Sequence, residues 1–125
     1  MTAAAFAERL AASVPATAGG VKLGGDPDRM LDTVAVLGGA GDSMLDAARA
    51  AGVDCYVTGD LRHHPAQDFL AHAGAPVLVD VPHWAAEWTW LPAAERVLEA
   101  AAADAGVRVG STVSRIVTDP WVARY

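Results

Sequence analysis

The chain predicts an α/β fold, a layered domain with a mainly parallel sheet flanked by helices, and three observations carry that prediction. Strand-like and helix-like stretches alternate strand–helix, strand–helix, strand–helix, strand, the signature of α/β layers. The three central apolar runs, "DTVAVLGGAG", "DCYVTGD" and "APVLVDV", lack clean alternation, which suits a sheet covered on both faces. Each run also ends in glycine or polar residues. If the strands lie parallel, Gly38–Gly41, Thr58–Asp60 and Asp80–His83 gather at one edge of the sheet, where ligands bind in such folds.

The elements follow in order. Residues 3–14 read as a helix, with Phe6, Leu10 and Val14 at four-residue spacing and Pro15 and Gly19-Gly20 ending it. "VKLGG" is a short strand and "GDPD" a turn. "DSMLDAARAAG" is a helix capped by Asp42 or Ser43 and stopped at Gly52. "PAQDFLAHAG" is a helix with Pro65 in its first turn and Gly74 at its end. "WAAEWTWLPAAERVLEAAAADAG" is one long helix or two, with Pro92 as the break or the fresh start. "VRVG" and "STVSRIVTD" close the chain with strand character.

Composition bounds the function. A chain of 125 residues fits a single domain over residues 1–125 with a real core, and a 53% hydrophobic content argues against disorder. No apolar run reaches the roughly 20 residues a membrane-spanning helix needs. Glu8 and Arg9 interrupt the apolar N-terminal stretch, so it is not read as a signal peptide, and a cytoplasmic location is expected. The net charge is −6 with only 9 Lys and Arg and no basic stripe, which argues against direct nucleic-acid binding. The single cysteine, Cys55, excludes an internal disulfide and reads as a core thiol.

Three places could carry chemistry. His83 and Glu87 in "DVPHWAAEW" stand four residues apart, on one face if helical. They are either two ligands for one divalent ion or a capping or solvated polar pair. The neighbouring Trp84, Trp88 and Trp90 read as packing or interface residues rather than a stacking platform. Asp60, His63 and His64 in "TGDLRHHPAQDF" are acid/base groups or ligands, or they cap the helix that follows. His72 reads as structural or exposed. The glycines of "LGGAGDS" make either an anion-friendly corner or a tight turn. The phosphate-loop ending and the dinucleotide spacing are both missing.

Taken together, "VAVLGGAGDSMLDAARAAGVDCYVTGDLRHHPAQDFLAHAGAPVLVDVPHWAAEW" resembles the second half of the GTP cyclohydrolase 1 type 2 homologue family, also called Nif-three-like or dinuclear-metal-centre proteins. The family pattern is a "GGxG" element after a strand, then "aDvyiTGD" with a histidine four residues on, then "GH…E" with three residues between His and Glu. Gly38, Gly39 and Gly41, Asp54 to Asp60, His64, and His83 with Glu87 stand in those places, and "VTDPW" resembles the end of such chains. The match runs over roughly residues 20 to 122.

The resemblance implies a pair of divalent ions, whether Zn, Fe, Mn, Mg or Ni, held by His, Asp and Glu side chains. It makes His83 and Glu87 metal ligands, places His64 near the same site, and puts Asp60 and Thr58 in its walls. It further implies that a first lobe supplies more ligands, including a histidine pair and an aspartate. Pro82 replaces the family's usual glycine and changes the approach to His83. The resulting expectation is a Nif-three-like lobe of a metal-dependent hydrolase. It is completed by a homo-oligomeric partner or a complementing first lobe, with substrate and metal identity open. Its main rival is a non-catalytic interaction module that keeps the fold with an incomplete site. A small-anion or nucleotide sensor using the Gly38–Gly41 corner is a third reading.

Overall fold

The computed structural model describes residues 1–125. In chain order the elements are α1 (Ala3–Ser13), β1 (Lys22–Gly24), β2 (Val34–Ala40), a 3₁₀ turn (Asp42–Met44), α2 (Leu45–Ala50), β3 (Cys55–Gly59), α3 (His63–Leu70), β4 (Val77–Asp80), α4 (His83–Trp88) and α5 (Leu91–Asp104). The strands form one sheet in the order β1-β4-β3-β2. β2 pairs parallel with β3, and β3 parallel with β4. β1 runs antiparallel along β4, with Leu23 opposite Val79. The sheet is therefore mainly parallel with one antiparallel edge, and the α/β prediction holds.

Two apolar clusters cover the two faces of the central strands. Cys55, Val57, Val77, Val79 and Val81 pack with Ala3 and Leu31 beneath α1, which adds Phe6 and Leu10. Tyr56 and Leu78 point the other way, onto Leu45, Ala48 and Phe69 of α2 and α3. Because successive strand residues face opposite sides, β3 is covered on both, and all five of its residues are buried, Thr58 as a polar member. Each buried Val or Leu contributes roughly 1.5–3 kcal/mol, so this sandwich holds the fold. Cys55 is one of its fully buried members. Burial pushes its thiol up to about 11, so it packs as a hydrophobe, as its sequence context suggests.

The structure corrects several expectations. β2 is not covered on both faces: Ala35 and Leu37 join the α2/α3 side, while Val36 on the opposite side is 73% exposed. Gly38 and Gly39 lie within β2 rather than in a loop, and the pairing with β3 shifts register between Val36 and Ala40. Neither Asp42 nor Ser43 caps α2. Asp42 instead accepts from the Arg62 backbone N–H at 3.2 Å and pairs with its guanidinium. That bond crosses to the start of α3. α3 stops at Leu70, so His72 is an exposed turn residue and not mid-helix. Pro92 is a fresh start: α4 ends at Trp88, and α5 carries the proline in its first turn. Residues 107–119, expected as strands, form none.

Candidate functional site

Parallel pairing brings the C-terminal ends of β2, β3 and β4 together, as the strand order predicts. The Gly41 N–H donates to Gly59 O at 3.1 Å, and the Val81 N–H donates to Thr58 O at 2.8 Å. These bonds fix how the strand-end segments sit beside one another. Thr58, only 2% exposed, donates its hydroxyl to Gly39 O at 3.1 Å and fills the space next to Gly41. A Cβ on Gly41 would lie 2.0 Å from Thr58 Oγ1, so close approach requires glycine there. Gly39 has φ +80° and faces the His83 ring, 4.0 Å from where its Cβ would stand. Backbone approach and a left-handed step explain these glycines. Tight geometry, one of the two roles open to the "GGAG" corner, is thus met.

β4 ends at Asp80. Its carboxylate accepts from the Leu61 N–H at 3.3 Å and from Lys22 Nζ at 2.6 Å. Two residues on, Pro82 turns the chain, and its carbonyl accepts the Ala86 N–H at 2.9 Å, starting α4 at His83. Ala85 is fully buried and Ala86 packs on the α1-side cluster, which leaves His83 and Glu87 on the outer face. Helical spacing places them side by side, with His83 Nε2 and Glu87 Oε1 at 2.8 Å. The other ring nitrogen, Nδ1, lies 2.8 Å from Asp60 Oδ2. Asp60 follows the last residue of β3 and has φ +52°.

This row of carboxylate, imidazole and carboxylate contributes little to folding. The three side chains are 37–60% exposed, and such surface pairs contribute about 0–1 kcal/mol. A left-handed residue costs about 1–2 kcal/mol, least for Gly, Asn and Asp. The gain scarcely offsets the cost, so the arrangement is not a device for stability. Its charge balance is informative. A neutral imidazole carries one N–H, yet both ring nitrogens face carboxylates. The Asp60 and then the Glu87 hydrogen bonds raise the His83 pKa, because two carboxylates flanking the ring favour positive charge on it.

A divalent ion could supply positive charge there. Donors sharing an ion at about 2.0–2.2 Å stand about 3 Å apart at octahedral angles and about 3.4 Å apart at tetrahedral ones, so the 2.8 Å Nε2–Oε1 contact opens by a few tenths of an ångström to admit one. His83 and Glu87 therefore fit one edge of a coordination shell. No group of three or more His, Cys, Asp or Glu side chains is arranged to hold an ion. His64 sits exposed on α3 with its ring 5.2 Å edge-on from His63, and no hydrogen bond joins it to His83. The structure thus unites His83, Glu87 and Asp60 by hydrogen bonds, with buried Thr58 two residues before Asp60 on β3. An open cavity of about 330 Å³ flanks Asp60 on one side, between Lys22 and Trp121. A second, of about 570 Å³, flanks it between Asp42 and Arg62. The direct Asp60–His83 link escaped the sequence reading. Its signal was the parallel order, since adjacent β3 and β4 bring "TGD" and "DVPH" to one edge.

A parallel-edged α/β lobe with a His–Glu helix at its strand ends defines the class. The comparisons agree. The family model of Duf34/NIF3 (NGG1p interacting factor 3) matches residues 1–120, and the chain belongs to that family. It is 45% identical over 123 residues to the GTP cyclohydrolase 1 type 2 homolog of Streptomyces coelicolor, covering 98% of this chain and 43% of that one. It is 47% identical over 116 residues to the homolog of Mycobacterium tuberculosis, covering 93% and 30%. The crystal structure of a Bacillus cereus protein related to NIF3 superposes with a TM-score of 0.83 at 29% identity, over 98% of this chain and 32% of that one. The chain thus spans less than half the length of these relatives.

Proposed function

We propose that this chain is a metal-binding lobe that holds a divalent ion through His83 Nε2 and Glu87 as one side of a dinuclear centre. The observation that carries the reading is the i,i+4 pair at the strand-end edge, its two donor atoms 2.8 Å apart on the exposed face of α4. A bound ion would supply Lewis-acid polarisation of a substrate and acidified water. This chain's own residues anchor that chemistry: β3 and β4 fix the edge, and the open clefts beside Asp60 admit a substrate. Two donors leave a shell short of the roughly four that Zn²⁺ takes. The remaining ligands come from a first lobe or from another copy of the chain, and the assembled protein is a metal-dependent hydrolase of the cyclohydrolase-homologue type in the cytoplasm.

A non-catalytic interaction module is the second reading. It is favoured by the lack of a three-donor group and by the exposed Val36, Val97, Ile116 and Trp121. Elemental mass spectrometry of the purified chain separates the two, beside a His83→Ala, Glu87→Ala variant checked for folding by circular dichroism. Near-stoichiometric metal in the parent and none in the folded variant is expected. No metal in either would leave the interaction module.

A further inference from the structure

We propose that Asp60 is a positioning residue for His83, its carboxylate accepting the hydrogen bond of Nδ1–H so that Nε2 is left bare towards Glu87. The proposal rests on the metal-holding reading and adds to it the group that prepares the ligand. With a carboxylate 2.8 Å from each ring nitrogen and one proton on a neutral ring, one nitrogen must face its carboxylate without a proton. The fold fixes Asp60 on the Nδ1 side, and the metal-holding role assigns the bare nitrogen to the Glu87 side. Asp60 follows a strand whose five residues are all buried, and its left-handed φ of +52° swings the chain at the strand end where the carboxylate meets the first residue of α4. Glu87 belongs to the same helix as His83 and forms with Nε2 the pair a cation can bridge. A proton on Nε2 would block that bridge, whereas a proton on Nδ1 is held by Asp60. Metal-bound histidines almost always donate their second N–H to such a partner, and its loss typically weakens metal binding about 10–100-fold.

The test is long-range ¹H–¹⁵N correlation of the labelled, metal-free full chain, at a pH where the ring is neutral. The parent is expected to show Nδ1 protonated and Nε2 bare. Asp60→Gly suits the left-handed backbone and removes the acceptor, so it shifts His83 towards the Nε2–H tautomer that a free imidazole prefers. Asp60→Asn keeps an acceptor oxygen and restores the parent signature. An Nε2–H tautomer in the parent, or no change in Asp60→Gly, overturns the proposal. Zn²⁺ titration against a competing chelator gives the second reading. Asp60→Gly is expected to bind about 10–100-fold more weakly and still saturate. Uptake abolished as fully as in His83→Ala would make Asp60 a direct ligand and overturn the positioning role. If the parent itself binds Zn²⁺ no better than His83→Ala, the metal-holding reading fails, and the tautomer result alone decides the role of Asp60.

Discussion

Asp54 ties two parts of the chain far apart in sequence. It accepts the Thr33 N–H at 3.0 Å, the Asp32 N–H at 3.1 Å and the Thr33 hydroxyl at 3.0 Å, and it meets Arg29 at 3.2 Å. The Thr33 and Asp32 backbone hydrogen bonds, followed by the Thr33 hydroxyl and Arg29, hold its carboxyl well below the usual carboxylate range. Its folded pKa is depressed, so the unfolded chain binds the proton more readily. The stabilisation is present in full above the unfolded pKa of about 3.9 and is lost as pH falls through the folded one. Urea denaturation between pH 7 and pH 3 is expected to show Asp54→Asn less stable than the parent at pH 7. The gap should narrow below about pH 4. A gap that stays constant over the range would show that the charge of Asp54 contributes nothing. In the sequence Asp54 reads only as the start of "DCYVTGD". Its partners lie in a loop with no periodicity, so the contact was not legible. His83 and Glu87 were legible because helical spacing alone brings them together, whereas Asp60 needed the strand order.

At the level of elements, the central parallel pairing and the Pro92 restart read well, while the cap of α2 and the closing segment did not. The helices follow apolar spacing and proline placement, and Pro92 resolves into the first turn of α5 because a proline lacks only a donor that position does not use. The closing segment fails for a different reason. "VRVG" and "STVSRIVTD" have strand composition, yet a strand exists only with a partner backbone, and propensity cannot supply one. From residue 108 onward no backbone–backbone hydrogen bond forms. The segment is instead held through side chains. Trp88 Nε1 donates to Ser114 O at 2.8 Å, and the Arg115 guanidinium lies 5.6 Å from the centre of the Trp88 ring. Native-state hydrogen exchange should therefore be fast throughout 108–118, apart from Ile116, whose N–H meets the Ser114 hydroxyl. It should be slowest in β3 and β4, whose amides lie in the buried centre of the sheet. Strong protection across 108–118 would mean that the segment has found another backbone to pair with.

The whole molecule leaves apolar surface uncovered where a self-sufficient domain would cover it. Val36 on the open side of β2, Val97 on α5 and Ile116 in the closing segment are each at least 70% exposed, and α5 has no buried residue. Scattered apolar residues are ordinary on a surface. Here, however, they coincide with an unpaired strand edge and a helix without a buried residue, in a chain spanning 43% of its Streptomyces coelicolor relative. We propose one cause for these features, a neighbour that covers the apolar faces. We take that neighbour to be a second copy when the chain is alone. Sedimentation velocity over a hundredfold range of concentration is expected to show reversible association. Val36→Lys should shift it towards monomer, because an edge-strand lysine opposes strand pairing and burial of that face. A charge there costs the monomer little, since the side chain is already in water. A parent that stays monomeric throughout would mean that the complementary surface belongs only to the longer relatives' other half. The proposed ion at His83 and Glu87 would then take its remaining ligands from that half.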